Sequence, residues 1–282
     1  MLKKHLAPAL LLCAGLLLSA CGAAEAPGSA QSLSADLDGD GQAETVEYSV
    51  LSPEGAPGSR CSLSIDGVSV DESLAEQGFN AVNVHAECAA VDLDSADGYV
   101  ELAVLEDGQS ADYYTNFIRF DGEGAVYLGR VPGLIGDTGY FPVTVNGDGS
   151  VTASILSGVL QNWAFAADYV LTGSGLELVD QDFYTDERYK TEDKEALMDL
   201  SAYDAPDDGA ERQVIKAGSA FSLYGEGGSW DAGEGAHGAW ALAEDASGAQ
   251  YYLKVRELSE IEDATGAWVE ASDAISGLSL HG

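Results

Sequence analysis

An acidic turn that leads into an apolar strand occurs three times in this chain, and this repeat restricts the fold more than any other feature. The copies open at Asp36 (DLDGDGQAETVEYSV), Asp92 (DLDSADGYVELAVLE) and Asn146 (NGDGSVTASIL), about 55 residues apart. Apolar and polar residues alternate after each turn, as they do in half-buried strands. We therefore predict an all-β region of three repeat units over residues 35–190.

Shorter patterns inside the units support this prediction. The segment Asp121–Gly124 separates two strand-like runs, Tyr113–Phe120 and Ala125–Arg130, and so predicts a hairpin. In the third unit, Trp163 and Phe165 lie two residues apart in an alternating run, which places both on the same face of a strand. Each unit is therefore expected to hold several short antiparallel strands.

The DLDGDGxxE pattern of the first turn resembles the FG-GAP and VCBS repeats, which are calcium-loop blades of β-propellers. The resemblance extends over about residues 35–189, where the remaining similarity is in strand spacing. A closed propeller needs at least about four blades, and this region has three units. The resemblance therefore implies a partial propeller-like arrangement or a set of stacked sheets.

The first acidic turn carries four carboxylates within nine residues, and these repel one another unless a cation lies among them. Calcium prefers six to eight hard oxygen ligands in a flexible geometry, and Gly41 permits the sharp turn that such a loop needs. The predicted calcium ligands are Asp36, Asp38, Asp40, the backbone carbonyl of Gln42 that the calcium-loop motif implies, and Glu44. The alternative is a solvated acidic turn without a metal.

The second turn offers a similar set of carboxylates with one residue inserted. Its predicted calcium ligands are Asp92, Asp94, Asp97 and Glu101. The third turn keeps Asn146 and Asp148 but is followed by serines, so we expect it to act as a turn without a metal.

A charge-dense segment, DERYKTEDKE, ends the repeat region at about residues 185–195, and a second unit is expected over 197–282. Its order of short strands, a proline-containing loop, a Lys-Ala-Gly turn and a glycine hairpin resembles bacterial SH3-like domains. The matching positions are Tyr203, Pro206, Val214, Gly218, Phe221, Leu223, Trp240, Gly248 and Tyr251. The resemblance implies a small barrel with Trp240 in its core and Tyr203 near a ligand face. A glycine-rich insertion at residues 225–238 departs from the family pattern.

The first twenty residues have the pattern of a secretory signal. Lys3 and Lys4 precede an uncharged stretch over residues 6–20, which is too short to cross a membrane of about 30 Å. It ends in LSAC, which resembles the bacterial lipobox and implies that Cys21 is lipidated and anchors the protein to the membrane. The alternative is an ordinary secretory signal with a chance cysteine. Residues 21–34 are small and polar, and predict a flexible tether.

Two cysteines remain after processing, Cys61 and Cys88, and both lie in strand-like stretches. The compartment outside the membrane permits oxidation, so they form either a disulfide or two buried thiols.

Charge and residue patterns limit the function. With 48 acidic and 12 basic residues the formal net charge is −36, which repels nucleic acid. No nucleophilic triad or metal-ligand histidine spacing is visible, so we predict a protein without enzymatic activity. The preferred interpretation is a lipid-anchored extracytoplasmic protein that binds a cell-wall or extracellular ligand. The alternative is a cell-wall or glycan hydrolase with a substrate site on the β region.

Overall fold

The computed structural model describes residues 27–279, with gaps at 53–57, 109–111, 138–140, 191–192, 208 and 229–237. The predicted signal peptide and its lipidation site, Cys21, lie outside the described residues.

Three mainly antiparallel sheets follow one another along the chain, one for each predicted repeat unit. The first sheet contains β1 (Pro27–Ala35), β2 (Glu44–Leu51), β3 (Arg60–Ile65) and β4 (Val68–Ser69), and a short helix α1 (Asp71–Glu76) follows it. The second contains β5 (Val84–Val91), β6 (Glu101–Asp107), β7 (Tyr113–Phe120) and β8 (Ala125–Pro132). The third contains β9 (Leu134–Ile135), β10 (Pro142–Val145), β11 (Ser150–Ser157), β12 (Trp163–Thr172) and β13 (Gly175–Leu178), with β9 and β10 parallel.

A larger sheet, which we call the C-terminal sheet, is formed by the rest of the described chain. Its strands are β14 (Phe183–Thr185), β15 (Lys194–Ala196), β16 (Leu200–Tyr203), β17 (Arg212–Ile215), β18 (Ala220–Gly227), β19 (Gly238–Asp245), β20 (Gln250–Arg256), β21 (Glu260–Glu262), β22 (Trp268–Glu270) and β23 (Ile275–Ser276). The main order is β17-β16-β20-β19-β18-β15-β23, and a short helix α2 (Ala271–Ala274) precedes the last strand.

The all-β prediction is confirmed, and the sheets formed by the described residues are open rather than closed into a barrel. The hairpin predicted around Asp121 is also confirmed, because β7 and β8 pair there and the Asp121 carboxylate accepts the backbone N–H groups of Glu123 and Gly124. The predicted face of β12 is confirmed as well, since Trp163 and Phe165 are buried.

The second sheet is buried on both faces, and this explains the nearly continuous apolar run of β6. Val104 and Ile118 pack toward the first sheet, whereas Ala103 and Phe117 pack toward the third. All four are at most 1% exposed. The second sheet therefore packs between the first and the third.

The strand pairing differs from the predicted boundary between the two units in two respects. First, β14 precedes the charge-dense segment, yet it pairs with β18 of the C-terminal sheet. Second, that segment contains β15, where Lys194 is buried although its charge suggested a linker. Two charged residues and one alanine supply too little apolar surface to predict a strand, and it is the pairing with β18 and β23 that holds it.

The third sheet shares a hydrophobic core with the C-terminal sheet. Trp163 and Phe165 of β12 belong to the same buried cluster as Phe221 and Leu223 of β18. The ring centroids of Trp163 and Phe165 are 5.3 Å apart in a stacked arrangement. Residues 197–282 therefore do not bury their core alone, in contrast to the separate domain expected from the sequence.

The flexible tether predicted for residues 21–34 is corrected for residues 27–34, which lie in β1 and pair with β2; residues 21–26 lie outside the described residues. The side chain of Gln31 binds the edge of the second sheet: its amide nitrogen donates to the carbonyl of Cys88 (3.0 Å), and its amide oxygen accepts the N–H of Cys88 (2.8 Å). Small polar residues carry no strand signal of their own, so this pairing depends on the neighbouring sheets.

The opposite edge of the second sheet is covered in the same way. Gln77, just after α1, donates to the carbonyl of Ala125 (2.9 Å) and accepts the N–H of Tyr127 (2.9 Å). Each glutamine amide thus replaces one peptide group of a missing neighbouring strand. Edge strands with unpaired N–H and C=O groups invite association, and both edges of this sheet are partly satisfied by a side chain of the same molecule.

We expect Gln31→Ala and Gln77→Ala each to reduce the free energy of unfolding by about 1 to 3 kcal/mol, because each leaves a backbone donor and acceptor without a partner. The measurement is urea unfolding of the protein that starts at residue 21. Gln213→Ala is the control, since Gln213 is exposed on β17 and its replacement should change stability by less than about 0.5 kcal/mol. Equal midpoints for all three variants would contradict the role of the two amides.

Candidate functional site

The first two acidic loops share one buried arrangement. Leu37 and Leu93 are completely buried, and each turns its backbone N–H toward a glutamate of the following strand. The N–H of Leu37 donates to Glu44 Oε2 (2.7 Å), and that of Leu93 donates to Glu101 Oε2 (3.0 Å). A buried N–H needs an acceptor, and the glutamate supplies it. Both glutamates were predicted as calcium ligands, but in each one carboxylate oxygen is used inside the loop.

The loops of consecutive units are also joined through their backbones. Val100 in the second unit donates its N–H to the carbonyl of Leu37 (3.0 Å), and Gly149 in the third donates to that of Leu93 (2.8 Å). At Gly39, which has a φ of +74°, a Cβ atom would lie 2.4 Å from the carbonyl oxygen of Gly98. The glycine is therefore required both for the turn and for the close approach of the second loop.

Three of the predicted ligands in the first loop converge. One carboxylate oxygen from each of Asp36, Asp38 and Asp40 lies within 4.8 Å of the other two. The loop holds them with its own N–H groups, because Gly41 donates to Asp36 Oδ2 (3.0 Å) and Gln42 donates to Asp40 Oδ1 (2.7 Å). The other oxygen of Asp36, Oδ1, is buried and has no hydrogen-bond donor within the described part of the chain. A buried carboxylate oxygen without a partner is unfavourable, and a cation would satisfy it.

The second loop does not assemble its predicted ligands in this way. Asp92 is exposed, and Asp94 Oδ1 accepts the N–H of Ala96 (3.1 Å). Asp97 and Glu101 instead bind the guanidinium of Arg119 from β7. A side chain of the protein therefore provides a positive charge beside two of the four predicted ligands, and calcium binding by this second set stays a prediction.

The third loop forms a polar turn. Asn146 Nδ2 donates to Ser150 Oγ (2.9 Å), and Asp148 Oδ1 accepts the N–H of Ser150 (3.1 Å). The Ser150 hydroxyl also donates to Asp148 Oδ1 (2.6 Å), and the hydroxyl and N–H of Ser150 together lower the pKa of Asp148.

The two cysteines are free thiols in the structure, so of the two alternatives the disulfide is not formed. Cys61 lies on β3 of the first sheet and Cys88 on β5 of the second. Burial raises the pKa of Cys61 to about 12 and that of Cys88 to about 11. Both are therefore protonated and weakly nucleophilic at neutral pH.

Tyr203, which the sequence placed near a ligand face, is half-buried against Trp240. Their rings meet edge to face with centroids 5.4 Å apart, and the Tyr203 hydroxyl donates to Glu262. Trp240 is completely buried, as predicted. It points away from the main core, however, because its neighbours Ala239 and Ala241 face that core and residues alternate along β19.

A groove that the sequence analysis missed lies beside β17. It has a volume of about 470 Å³, and its lining includes the apolar side chains of Val214 and Phe221 and the charged residues Lys216 and Asp245. Asp245 has a structural role, because its carboxylate accepts hydrogen bonds from the hydroxyl and the backbone N–H of Ser247 and from other donors. These hydrogen bonds lower the pKa of Asp245 to about 2. A matched pair of turns, DASGA at residue 245 and DATGA at residue 263, is the sequence signal that identifies this role.

A buried acid, Glu226, lies where the third sheet meets the C-terminal sheet. It is on β18 opposite Ala241, and its carboxylate accepts hydrogen bonds from the side chain of Ser157 and the backbone of Val159 in the third unit. Its second oxygen, Oε2, has no donor within the described residues. Burial raises the pKa of Glu226, so the folded joint favours the neutral acid.

Comparison with known proteins gave no match to any protein-family model, curated protein or solved structure. Among the helices of the described residues, none has the length and apolar character needed to cross a membrane.

The pKa of Glu226 is higher in the folded protein than in the unfolded chain, so the folded protein keeps a proton on this carboxyl over a range of pH where the unfolded chain has lost it. We therefore expect the free energy of unfolding to fall as the pH rises from the unfolded-state pKa through the folded-state pKa. Glu226→Gln keeps the shape without ionising, so its free energy of unfolding should increase relative to wild type between pH 4 and 7, by about 1.4 kcal/mol for each unit of raised pKa. The measurement is chemical unfolding across this range. Glu47→Gln, at an exposed position of β2, is the control and should follow the wild type. A constant difference between Glu226→Gln and wild type would contradict the expectation.

Proposed function

We propose that this protein is a lipid-anchored, extracytoplasmic binding protein whose first acidic loop is stabilised by calcium. The anchor is argued from the charged start, the apolar stretch and the LSAC sequence that ends at Cys21. The binding role is argued from the stacked β-sheets and from the groove beside β17. A partner in the cell wall or outside the cell is consistent with the anchor, and the net charge of −36 opposes nucleic acid.

The observation that carries the calcium proposal is the buried, unpartnered Asp36 Oδ1 beside the carboxylates of Asp38 and Asp40. These are hard oxygen donors in an exposed, irregular loop, which suits the variable coordination of calcium better than the strict octahedral geometry of magnesium. Three carboxylates supply only part of the six to eight oxygens that calcium takes, so water and backbone carbonyls would complete the shell.

We interpret the three sheets as propeller-type repeat units that stack without closing. The equivalent contacts Leu37–Glu44 and Leu93–Glu101 support a common origin for the first two units. The C-terminal sheet is interpreted as an SH3-like unit extended by β14 and β15.

We expect millimolar calcium to raise the thermal midpoint of the protein that starts at residue 21, and a chelator to lower it. Binding to the folded state alone adds about 2.7 kcal/mol at a hundredfold excess over the dissociation constant. Asp36→Asn should remove most of the response, and magnesium should replace calcium poorly. Asp92→Asn is the matched control, because Asp92 holds the equivalent place in the second loop and should respond like wild type. If every protein melts alike in all buffers, the first loop is a solvated turn.

The anchored-binding proposal is tested in two stages on the full chain. Mass spectrometry of the membrane fraction should find acyl chains on Cys21, and Cys21→Ser should lack them; an unmodified Cys21 or a different mature terminus would refute the anchor. Purified protein is then incubated with labelled cell wall. Retention without soluble fragments supports binding, whereas released fragments support the hydrolase, and loss of all label on washing rules out a cell-wall ligand.

A further inference from the structure

In the second acidic loop, the guanidinium of Arg119 contacts two carboxylates of the loop. Arg119 Nη2 lies 2.7 Å from Asp97 Oδ2 and also contacts Glu101 Oε1, while Arg119 Nε donates to the same Glu101 oxygen (2.7 Å). The guanidinium carbon lies 4.5 Å from the centroid of the Tyr99 ring, which covers one side of it. A single positive group therefore bridges the two carboxylates, as a bound cation would.

Burial makes this positive charge necessary. The Glu101 side chain is completely buried, and its second oxygen already accepts the N–H of Leu93. An ionised carboxylate removed from water requires a partner of opposite charge, and loss of that partner is strongly destabilising. The Arg119 side chain is itself only 17% exposed, so the pair is shielded from solvent and salt.

The first loop has no arginine at the equivalent place. In the second sheet, Glu101 and Arg119 flank the paired residues Leu102 and Ile118. In the first sheet, the pairing of Val46 with Ile65 and the hydrogen bond from the Asp66 N–H to the Thr45 carbonyl make Gly67 the counterpart of Arg119 in strand register. Glycine carries no charge, so the first loop lacks an internal cation at the position that Arg119 occupies in the second.

We propose that Arg119 is the specificity-determining residue of the second loop: it replaces a divalent cation and excludes one from the site. Cation dependence is then confined to the first loop, and the second unit forms without metal. Only the statement about the first loop rests on the proposed function; the role of Arg119 follows from contacts within the second unit.

The test is the number of calcium ions bound by the protein that starts at residue 21, measured by equilibrium dialysis and by terbium luminescence. Arg119→Gln removes the charge and retains much of the side-chain volume, so it should bind one more ion than wild type. Adding Asp97→Asn to this variant should abolish the gain. Arg130→Gln is the matched control, since it removes a neighbouring β-strand arginine that contacts Glu106, and it should bind as many ions as wild type.

A second readout is thermal stability. Arg119→Gln should melt at a lower temperature than wild type in chelator and recover in calcium to a greater extent than Arg130→Gln. Arg119→Ala provides an independent version of the same change. A folded variant with no additional ion and no calcium-dependent recovery overturns the proposal, and so does failure of both Arg119 variants to fold in calcium. If wild type binds no calcium, the first-loop proposal fails, but a gain of one ion in Arg119→Gln still supports the role of Arg119.

Discussion

The hydrogen bond from a buried leucine N–H to a glutamate carboxylate is the interaction on which the stacked sheets depend. It turns Leu37 and Leu93 inward, so that their carbonyls accept N–H groups from the next unit. The acidic loops therefore connect consecutive units through backbone hydrogen bonds. Without the glutamate, the buried N–H would have no acceptor, and the loop would lose the conformation that aligns its neighbour.

The acidic loops place several carboxylates at one end of the sheets, and the first and second loops offset this negative charge differently. Arg119 pairs with two carboxylates of the second loop from within the same unit. The first loop relies on its backbone N–H groups and leaves Asp36 Oδ1 unpartnered. A fixed arginine offsets part of the loop's negative charge in any buffer, whereas the energy of an open carboxylate set depends on the ions in solution.

The edges and the faces of the second sheet are covered by different parts of the chain. The two glutamine amides cover the edges of the second sheet, and apolar residues on both faces bury it between its neighbours. The C-terminal sheet also depends on another unit, because Trp163 of the third unit is part of its core. Each unit therefore depends on the next, and a cut at the charge-dense segment would separate β14 from its partner β18.

The sequence by itself determined the β class, the period of the units, the hairpin at Asp121 and the convergence of Asp36, Asp38 and Asp40, because these follow from local alternation and turn chemistry. Only the tertiary structure decided which sheet a strand with few apolar residues joins and which residues share the core of the C-terminal sheet. It also decided that Asp97 and Glu101 contact the guanidinium of Arg119. The strands β1 and β15 have little apolar surface: β1 pairs with β2 and reaches the second sheet through Gln31, whereas β15 pairs with the distant strands β18 and β23. Arg119 lies 18 residues from Glu101 along the chain, so only the pairing of β6 with β7 brings its charge to the loop.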